Sequence, residues 1–204
     1  MSTVTIIDYG VGNLFSLKSS FAALGVTATV TSNPADLSTA ERIILPGVGA
    51  FGDAAAKLRA CGMADALLAE AERGKPIMGI CLGMQLLFDK SFEYGEHEGL
   101  GLIQGEIRPI ADVIPNNLKI PHIGWNALHL TGEHPLFKYI KKDDCVYFVH
   151  SFYGADCAES VIATSEYGAE LTAAVAKANV MGCQFHPEKS GEVGLNILKA
   201  FCEM

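Results

Sequence analysis

The chain has 204 residues, of which 50% are hydrophobic and 19% are charged, a composition typical of one folded domain over residues 1–204. Its 15 basic and 23 acidic residues give a formal net charge of −8, which argues against a nucleic-acid partner or an anionic membrane surface. No apolar run approaches the ~20 residues of a membrane span. The first residues lack the features of a signal peptide, so we expect a cytoplasmic protein.

Six cysteines stand at positions 61, 81, 145, 157, 183 and 202, and no two of them form a Cys-x-x-Cys pair. A zinc site or a redox-active pair requires closely spaced ligands, and a disulfide framework is unusual in a chain of this size without a secretory leader. We therefore expect no metal, no other cofactor and mostly buried thiols, with Cys81 as the exception.

The first half of the chain alternates strand-like and helix-like segments. Short apolar runs that end in Gly-rich or turn-forming residues predict strands, and apolar residues spaced three or four apart predict helices. This alternation indicates βαβ units, a mostly parallel sheet and helices on both of its faces. The predicted strands are 4–8, 26–30, 42–45 and 76–80, and the predicted helices are 14–24, 63–73 and 82–88.

The second half has a different pattern, in which turns separate β-like runs. Such a series predicts antiparallel strands that extend or flank the sheet. The runs are 122–130, 145–153, 161–165, 171–176 and 180–185, and a final helix is predicted over 193–201. Together the two halves predict a three-layer α/β domain. A central, mostly parallel mixed sheet is flanked by helices, with additional antiparallel strands in the second half.

The most informative stretch joins a predicted strand to a predicted helix at Cys81. It has the form Gly-x-Cys-x-Gly, with Gly79 and Gly83 on either side, like the nucleophile elbow of hydrolases. The glycines allow the strand and the helix to pack closely, and a helix N-terminus favours a thiolate. The N–H of Leu82 would then face a developing oxyanion. The alternative is an inert cysteine buried in a Gly-rich turn.

A catalytic thiol needs a base, and a third group must orient that base. His186 follows a strand-like run, and Pro187 biases it towards an extended backbone. Residues two apart on an extended backbone face the same side, so Glu188 could hold one imidazole nitrogen while the other faces Cys81. A surface His-Pro-Glu turn is the alternative. His150 is the competing base, but it has no acidic residue two positions away.

Two further patterns suggest binding sites that we discount. The run from 47 to 52 (Gly-Val-Gly-Ala-Phe-Gly) matches the dinucleotide fingerprint, but it follows the third strand and lacks the required acidic residue. His186 and Glu188 match the opening of the zinc deaminase signature, but the later Pro-Cys-x-x-Cys is absent. The loop at 46–49 is better explained as backbone that supplies a second oxyanion donor, the N–H of Val48, near Cys81.

Three segments together resemble the class I glutamine amidotransferases: the elbow at 79–85, the loop at 46–49 and the triplet at 186–188. The resemblance extends over nearly the whole chain and implies the flavodoxin-like fold of that family. It implies that Cys81 attacks the carboxamide of L-glutamine, that His186 transfers protons and that Glu188 orients His186. An acyl thioester forms, ammonia leaves, and water releases glutamate. The positions that match glutamine-holding residues are Gly49, Gln85, Ser151 and Phe152.

Other segments, such as 8–14, 124–126 and 150–153, resemble a member of this family that works as one subunit of a larger enzyme. In that member, ammonia passes to a separate cyclase subunit, a (β/α)₈ barrel. The resemblance therefore implies a heterodimer. For Trp125, the only tryptophan in the chain, a core position is the alternative. The residues that fall on the implied docking face are Tyr9, Gly10, Val11, Gly12, Asn13, Trp125, Asn126 and Lys189.

Val48 occupies a position where many relatives carry glycine. Because a β-branched residue resists positive φ, we expect the loop at 46–49 to rest with the Val48 N–H turned away from the site. The free subunit would then be a poor glutaminase until its partner binds.

Two other functional classes stay open. A self-sufficient cysteine hydrolase acting on γ-glutamyl compounds would need no partner. A non-catalytic, flavodoxin-like binding module would leave Cys81 unreactive towards a glutamine-analogue electrophile. A glutaminase subunit for another acceptor synthase is a further alternative within the family.

Overall fold

The structure is a computed structural model that describes residues 2–204. Its first half follows the predicted alternation of strands and helices. The prediction named one helix between the third and fourth strands, whereas the structure has two, because Gly62 adopts a left-handed φ of 75° and separates them. The elements are β1 Thr3–Ile7, α1 Leu14–Ala23, β2 Thr27–Thr31, β3 Ile43–Leu45, α2 Phe51–Ala60, α3 Met63–Glu72, β4 Ile77–Ile80 and α4 Leu82–Leu86.

The second half is mostly β-structure, as predicted, and it ends in a helix. The predicted helix 82–88 is wrong at its end: α4 stops at Leu86, and Phe88 begins a strand in which its ring is fully buried. The elements are β5 Phe88–Ser91, β6 His97–Glu98, β7 Ile103–Pro109, β8 His122–Ala127, β9 His129–Leu130, β10 Cys145–His150, β11 Phe152–Ala155, β12 Val161–Glu166, β13 Glu170–Lys177, β14 Val180–Cys183 and α5 Gly191–Cys202.

A central eight-stranded sheet has the order β2-β1-β3-β4-β14-β13-β12-β9. The first five strands in this order run parallel, and β13, β12 and β9 add antiparallel pairs. The predicted mixed sheet with later antiparallel strands is therefore confirmed. The exception is the last predicted run, 180–185, because β14 also pairs in parallel with β4. A smaller sheet, β11-β7-β5-β6, and the β8–β10 pair flank it. The predicted run 145–153 divides between two sheets at Ser151.

The strands in the middle of the central sheet, β1, β3, β4 and β14, are buried on both faces. Ile43 and Leu45 in β3 contribute to the core beneath α2 and α3, whereas Ile44 between them contributes to the core beneath α1 and α5. Parallel strands covered on both faces are expected to be apolar at successive positions, and the three residues of β3 are all fully buried. In residues 2–204, every helix is too short or too polar to cross a bilayer.

The sheet order brings two chain segments together at one edge. Strands β4 and β14 are parallel neighbours, with Ile80 opposite Cys183. Their carboxyl ends therefore lie side by side, and the residues that follow them, Cys81 and His186, emerge at the same end of the sheet. Ligand sites in open α/β sheets form in such crevices at the carboxyl ends of strands.

Candidate active site

Cys81 lies at the sharp junction between β4 and α4. Its backbone has φ 54° and ψ −113°, a conformation that side-chain-bearing residues seldom adopt. Its N–H donates to the carbonyl oxygen of Cys183 at 2.8 Å, so the neighbouring strand holds the turn in place. Backbone strain of this kind concentrates at functional sites. The side chain of Cys81 is buried at the start of a helix but lines the cavity described below.

Glycines allow α4 to pack directly on the sheet at this junction. A Cβ on Gly83 would lie 1.8 Å from the carbonyl oxygen of Leu45, and a Cβ on Gly79 would lie 2.5 Å from the carbonyl oxygen of Gly83. On β14, a Cβ on Gly182 would lie 2.4 Å from Cγ of Met84. The close packing that the Gly-x-Cys-x-Gly spacing predicts is therefore confirmed.

His186 and Glu188 form a buried pair next to Cys81. Nδ1 of His186 lies 2.8 Å from Oε1 of Glu188, and the two side chains are 3% and 2% exposed. The predicted extended backbone at His186 is observed, with φ −101° and ψ 97°. The His186 N–H donates to the carbonyl oxygen of Tyr147 at 3.0 Å, which anchors the residue against β10. This burial contradicts the alternative of a surface turn.

The proton affinity of His186 is set by its neighbours. Burial alone would lower the pKa of His186, but the adjacent Cys81 thiol and Glu188 carboxylate favour the charged ring and raise its pKa to about 9. An ordinary imidazole has a pKa of about 6.5. The arrangement therefore favours a protonated His186 beside the sulfur, which is suited to donating a proton to a leaving group.

A cavity of about 390 Å³ opens above Cys81. The cavity is lined by nine residues that the sequence singled out for the triad, the oxyanion hole, glutamine binding or the docking face. The competing base, His150, also lines it. Glu93, Tyr94, Pro121 and Val149 complete the wall. The nine are Val48, Gly49, Cys81, Leu82, Gln85, Ser151, Phe152, His186 and Lys189. Glu188 lies behind His186 and does not reach the cavity wall.

The loop at 46–49 lies against the N-terminus of α4. A Cβ on Gly47 would be 2.7 Å from the backbone nitrogen of Gly83, so only glycine permits this approach. Gly49 takes the positive φ in the loop, at 98°, whereas Val48 does not. Val48 is 43% exposed. The absence of positive φ at Val48 agrees with the steric preference of a β-branched residue.

Gln85 is tied to the walls of the cavity. Its Nε2 donates to Oε1 of Gln184 at 3.0 Å and to the carbonyl oxygen of Phe152 at 3.3 Å. Gln184, which the sequence did not single out, places its own Nε2 3.7 Å from Sγ of Cys81. The two amides connect the thiol to the Ser151–Phe152 edge of the cavity.

Glu93 is a second group that sequence reasoning missed. Its carboxylate accepts the N–H of Phe51 at the start of α2, and burial raises its pKa. Glu93 and Lys189 place opposite charges on the same cavity wall. The sequence gives little indication of this role, because Glu93 stands in a turn 12 residues beyond Cys81. Only the fold brings Glu93 back to the cavity.

His150 is poorly placed to be the base. Nε2 of its ring lies 3.1 Å from Nδ1 of His122, and its Nδ1 lies 2.8 Å from the carbonyl oxygen of Phe152. Both nitrogens are therefore engaged away from Cys81, and burial lowers the pKa of His150.

The predicted docking residues are partly exposed. Trp125 is 56% exposed, which contradicts the alternative of a core position, whereas Tyr9 is only 6% exposed. The hydroxyl of Tyr9 donates to the carbonyl oxygen of Pro46 at 2.8 Å. Tyr9, which the resemblance places on the docking face, is thus buried, because its ring is part of the core beneath the loop at 46–49. Gly10 and Lys189 are exposed, and the others are half-buried: Val11, Gly12, Asn13 and Asn126.

Solved structures share this fold. PurLQS from Thermotoga maritima superposes with a TM-score of 0.79 at 23% identity, covering 100% of this chain and 99% of that one. A structure described as a glutamine amidotransferase gives a TM-score of 0.75 at 19% identity, covering 97% of this chain and 98% of that one. The glutamine amidotransferase class-I family matches residues 5–204. The chain therefore belongs to the class I glutamine amidotransferases.

Curated relatives narrow this assignment. The imidazole glycerol phosphate synthase subunit HisH of Caldanaerobacter subterraneus subsp. tengcongensis is 49% identical over 202 residues, covering 98% of each chain. The subunit of the same name from Wolinella succinogenes is 47% identical, covering 98% of this chain and 99% of its own. Within its class, the chain belongs to the family of HisH subunits.

Proposed function

We propose that this chain is the glutaminase subunit of an imidazole glycerol phosphate synthase, an enzyme of histidine biosynthesis. It hydrolyses L-glutamine to glutamate and delivers ammonia to a separate cyclase subunit, a (β/α)₈ barrel, in a heterodimer. The observation that carries the proposal is the meeting of a strained Cys81 with the buried His186–Glu188 pair at one cavity. The full-length similarity to HisH subunits supports the choice of acceptor enzyme.

The catalytic roles follow from the contacts. Cys81 attacks the carboxamide carbon of glutamine and forms a thioester, and His186 protonates the departing ammonia. Glu188, 2.8 Å from Nδ1 of His186, fixes the orientation of the ring so that Nε2 faces the sulfur. Water then attacks the thioester, with His186 as the base, and releases glutamate.

Two backbone N–H groups stabilise the tetrahedral intermediates. Leu82 is the first residue of α4, so its N–H has no helical partner and points outwards from the helix start. Val48 supplies the second N–H once the loop at 46–49 turns towards the site. One such donor is worth about 10²–10³ in rate, so the position of this loop governs the activity of the subunit.

The rest of the cavity holds the amino-acid end of glutamine. Glu93 offers a carboxylate to the α-ammonium group of glutamine. A charge-assisted hydrogen bond between them offsets the cost of removing the ammonium group from water. Gly49 and the Ser151–Phe152 edge offer backbone groups to the substrate, and Gln85 braces that edge through the Phe152 carbonyl oxygen.

The synthase works in the cytoplasm. All six cysteines are free thiols, as a reducing compartment requires, and a thioester mechanism needs the thiol of Cys81 to be reduced. The docking face for the cyclase subunit includes Gly10–Asn13, Trp125, Asn126 and Lys189.

The test uses a glutamine analogue with an electrophilic carbon in place of the carboxamide. Peptide mapping by mass spectrometry should find the adduct on Cys81 and not on Cys61, which is exposed and therefore reports non-specific alkylation. A matched Cys61→Ser variant should be labelled at the normal rate, and excess glutamine should slow the labelling. Labelling of Cys61 at the same rate as Cys81 would contradict the proposed function.

A further inference from the structure

Two buried histidines that the triad does not use form a chain of hydrogen bonds behind the cavity. His122 in β8 and His150 in β10 are directly opposite each other and are 1% and 6% exposed. Four contacts make up the chain, and each end of the chain is a backbone carbonyl. In order they are Asn126 Nδ2 to Glu166 O at 3.0 Å, Asn126 Oδ1 to His122 Nε2 at 2.8 Å, His122 Nδ1 to His150 Nε2 at 3.1 Å, and His150 Nδ1 to Phe152 O at 2.8 Å.

Four hydrogen bonds need four protons, and the neutral groups supply only three. Asn126 contributes one N–H in the direction of Glu166, and each neutral imidazole contributes one N–H. Because a carbonyl at either end can only accept, one contact of the chain brings two acceptors together while both rings are neutral. A doubly protonated imidazole, which donates in both directions, would complete all four bonds.

The surroundings of His122 influence its protonation in opposite directions. Its ring is stacked between Tyr167, with ring centroids 4.0 Å apart, and Phe148, with ring centroids 5.1 Å apart, and aromatic faces attract cations. Burial lowers the pKa of His122, and it outweighs the Asn126 amide and the charge of Glu166, which both raise it. Burial also lowers the pKa of His150. The charge of His186 acts in the same direction on His150. The pair is therefore neutral at rest and one proton short.

The proposed reaction releases one proton. When ammonia leaves as NH₃, the balance is carboxamide + H₂O → carboxylic acid + NH₃, and the new γ-carboxyl group of glutamate then loses H⁺ to become a carboxylate. The triad regains its starting state without absorbing this proton, because His186 donates one proton to ammonia and takes one from water. The proton appears only after ammonia has left the cavity. A group that holds this proton in the cavity therefore does not protonate the departing ammonia.

We propose that the His122–His150 pair accepts the proton that the γ-carboxyl group of the product releases. His150 and Phe152 both line the cavity, so in this proposal the proton enters at the His150 Nδ1–Phe152 O contact and completes the chain. Towards its other end, the chain of hydrogen bonds passes through Asn126, which is half-buried. This inference rests on the proposed glutaminase function.

The first experiment measures proton uptake in the wild-type protein. The ¹⁵N chemical shifts of the two imidazoles, followed between pH 4 and 8, should show that the pair binds one proton and that the signals of both rings move together. His129, which is exposed and contacts Glu170 at 3.0 Å, lies outside this chain of hydrogen bonds. Separate uptake of one proton by each ring, or no uptake by the pair in this range, would overturn the proposal.

The second experiment measures turnover in the complex with the cyclase subunit. His122→Gln should lower kcat for glutamine-driven turnover about tenfold and leave KM unchanged. This loss is smaller than the ~10²–10⁴-fold loss expected when a primary acid or base is removed. The kcat of this variant should recover as the pH rises and when free imidazole is added, because either supplies another proton acceptor. The matched control His129→Gln should behave like the wild type. Labelling of Cys81 by the glutamine analogue shows that each variant has a folded site.

The outcomes separate the two proposals. A wild-type complex that does not use glutamine would contradict the proposed function itself. An active wild type with a His122→Gln variant whose kcat and pH profile are normal would overturn the role of the pair and leave the glutaminase intact.

Discussion

At the scale of single residues, the reactivity of this site depends on short sequence separations and on one long-range contact. His186 and Glu188 are two positions apart on an extended backbone, so their pairing could be predicted from the sequence. Cys81 joins them only because β4 and β14 are neighbours. Glu93 and Gln184 could not be predicted, because their approach to the cavity depends on side-chain positions that no local pattern encodes.

The protonation of His186 gives a prediction at this scale. Its pKa in the folded chain, about 9, lies above the ~6.5 of an unfolded imidazole. The stability from this group is therefore complete below pH ~6.5 and is lost as the pH rises through about 9. We expect Glu188→Gln to lower the NMR titration midpoint of His186 by about 1–3 pH units, since it removes an adjacent charge. An unchanged midpoint would show that Glu188 does not hold the ring.

At the scale of elements, strand positions could be predicted better than element ends. Short runs next to glycine or turn residues located the five parallel strands. In β1, β3, β4 and β14, burial on both faces leaves a nearly continuous apolar signal, whereas β2 at the edge of the sheet is mostly exposed. The end of α4 could not be predicted, since Phe88 fits an amphipathic helix as well as a buried strand. The smaller sheet was also missed, because β5 and β7 pair across a turn that has no periodic pattern.

The elbow gives a prediction for stability. Ala at position 83 would place a Cβ 1.8 Å from the Leu45 carbonyl oxygen, and backbone atoms cannot move away cheaply. We expect Gly83→Ala to lower the free energy of unfolding by ~3 kcal/mol or more. Gly132→Ala is the matched control, because a Cβ there meets nothing within 4 Å. Equal denaturation midpoints for the two variants would contradict the close packing of α4.

The loop at 46–49 gives a prediction for activity. Turning the Gly47–Val48 peptide so that its N–H faces the site changes ψ of Gly47 and φ of Val48, and Val48 resists positive φ. Val48→Gly should therefore raise the basal glutaminase rate of the free subunit, up to the ~10²–10³-fold that one donor supplies. It should also reduce the activation by the partner. If basal rate and activation both stay at wild-type values, the second donor lies elsewhere.

At the scale of the whole molecule, the exposed Trp125 gives a prediction for the heterodimer. Trp125 packs edge-on against Tyr147, with ring centroids 6.0 Å apart, but is more than half exposed. We expect Trp125→Ala to weaken binding of the cyclase subunit by more than about 2 kcal/mol and to leave the Tm of the free subunit unchanged. Val30→Ala, which removes a 39% exposed side chain on β2, is the control. A lower Tm with unchanged affinity would instead assign Trp125 to packing.

The most direct test of the central claim compares the nitrogen sources of the complex. In the Cys81→Ala variant, glutamine-driven formation of imidazole glycerol phosphate should be abolished, because no thioester can form. Turnover driven by added ammonium salt should stay at the wild-type rate, since free ammonia reaches the cyclase subunit without the thioester step. Loss of both activities to the same extent, or glutamine-driven turnover that survives the substitution, would contradict the assignment of Cys81 as the nucleophile.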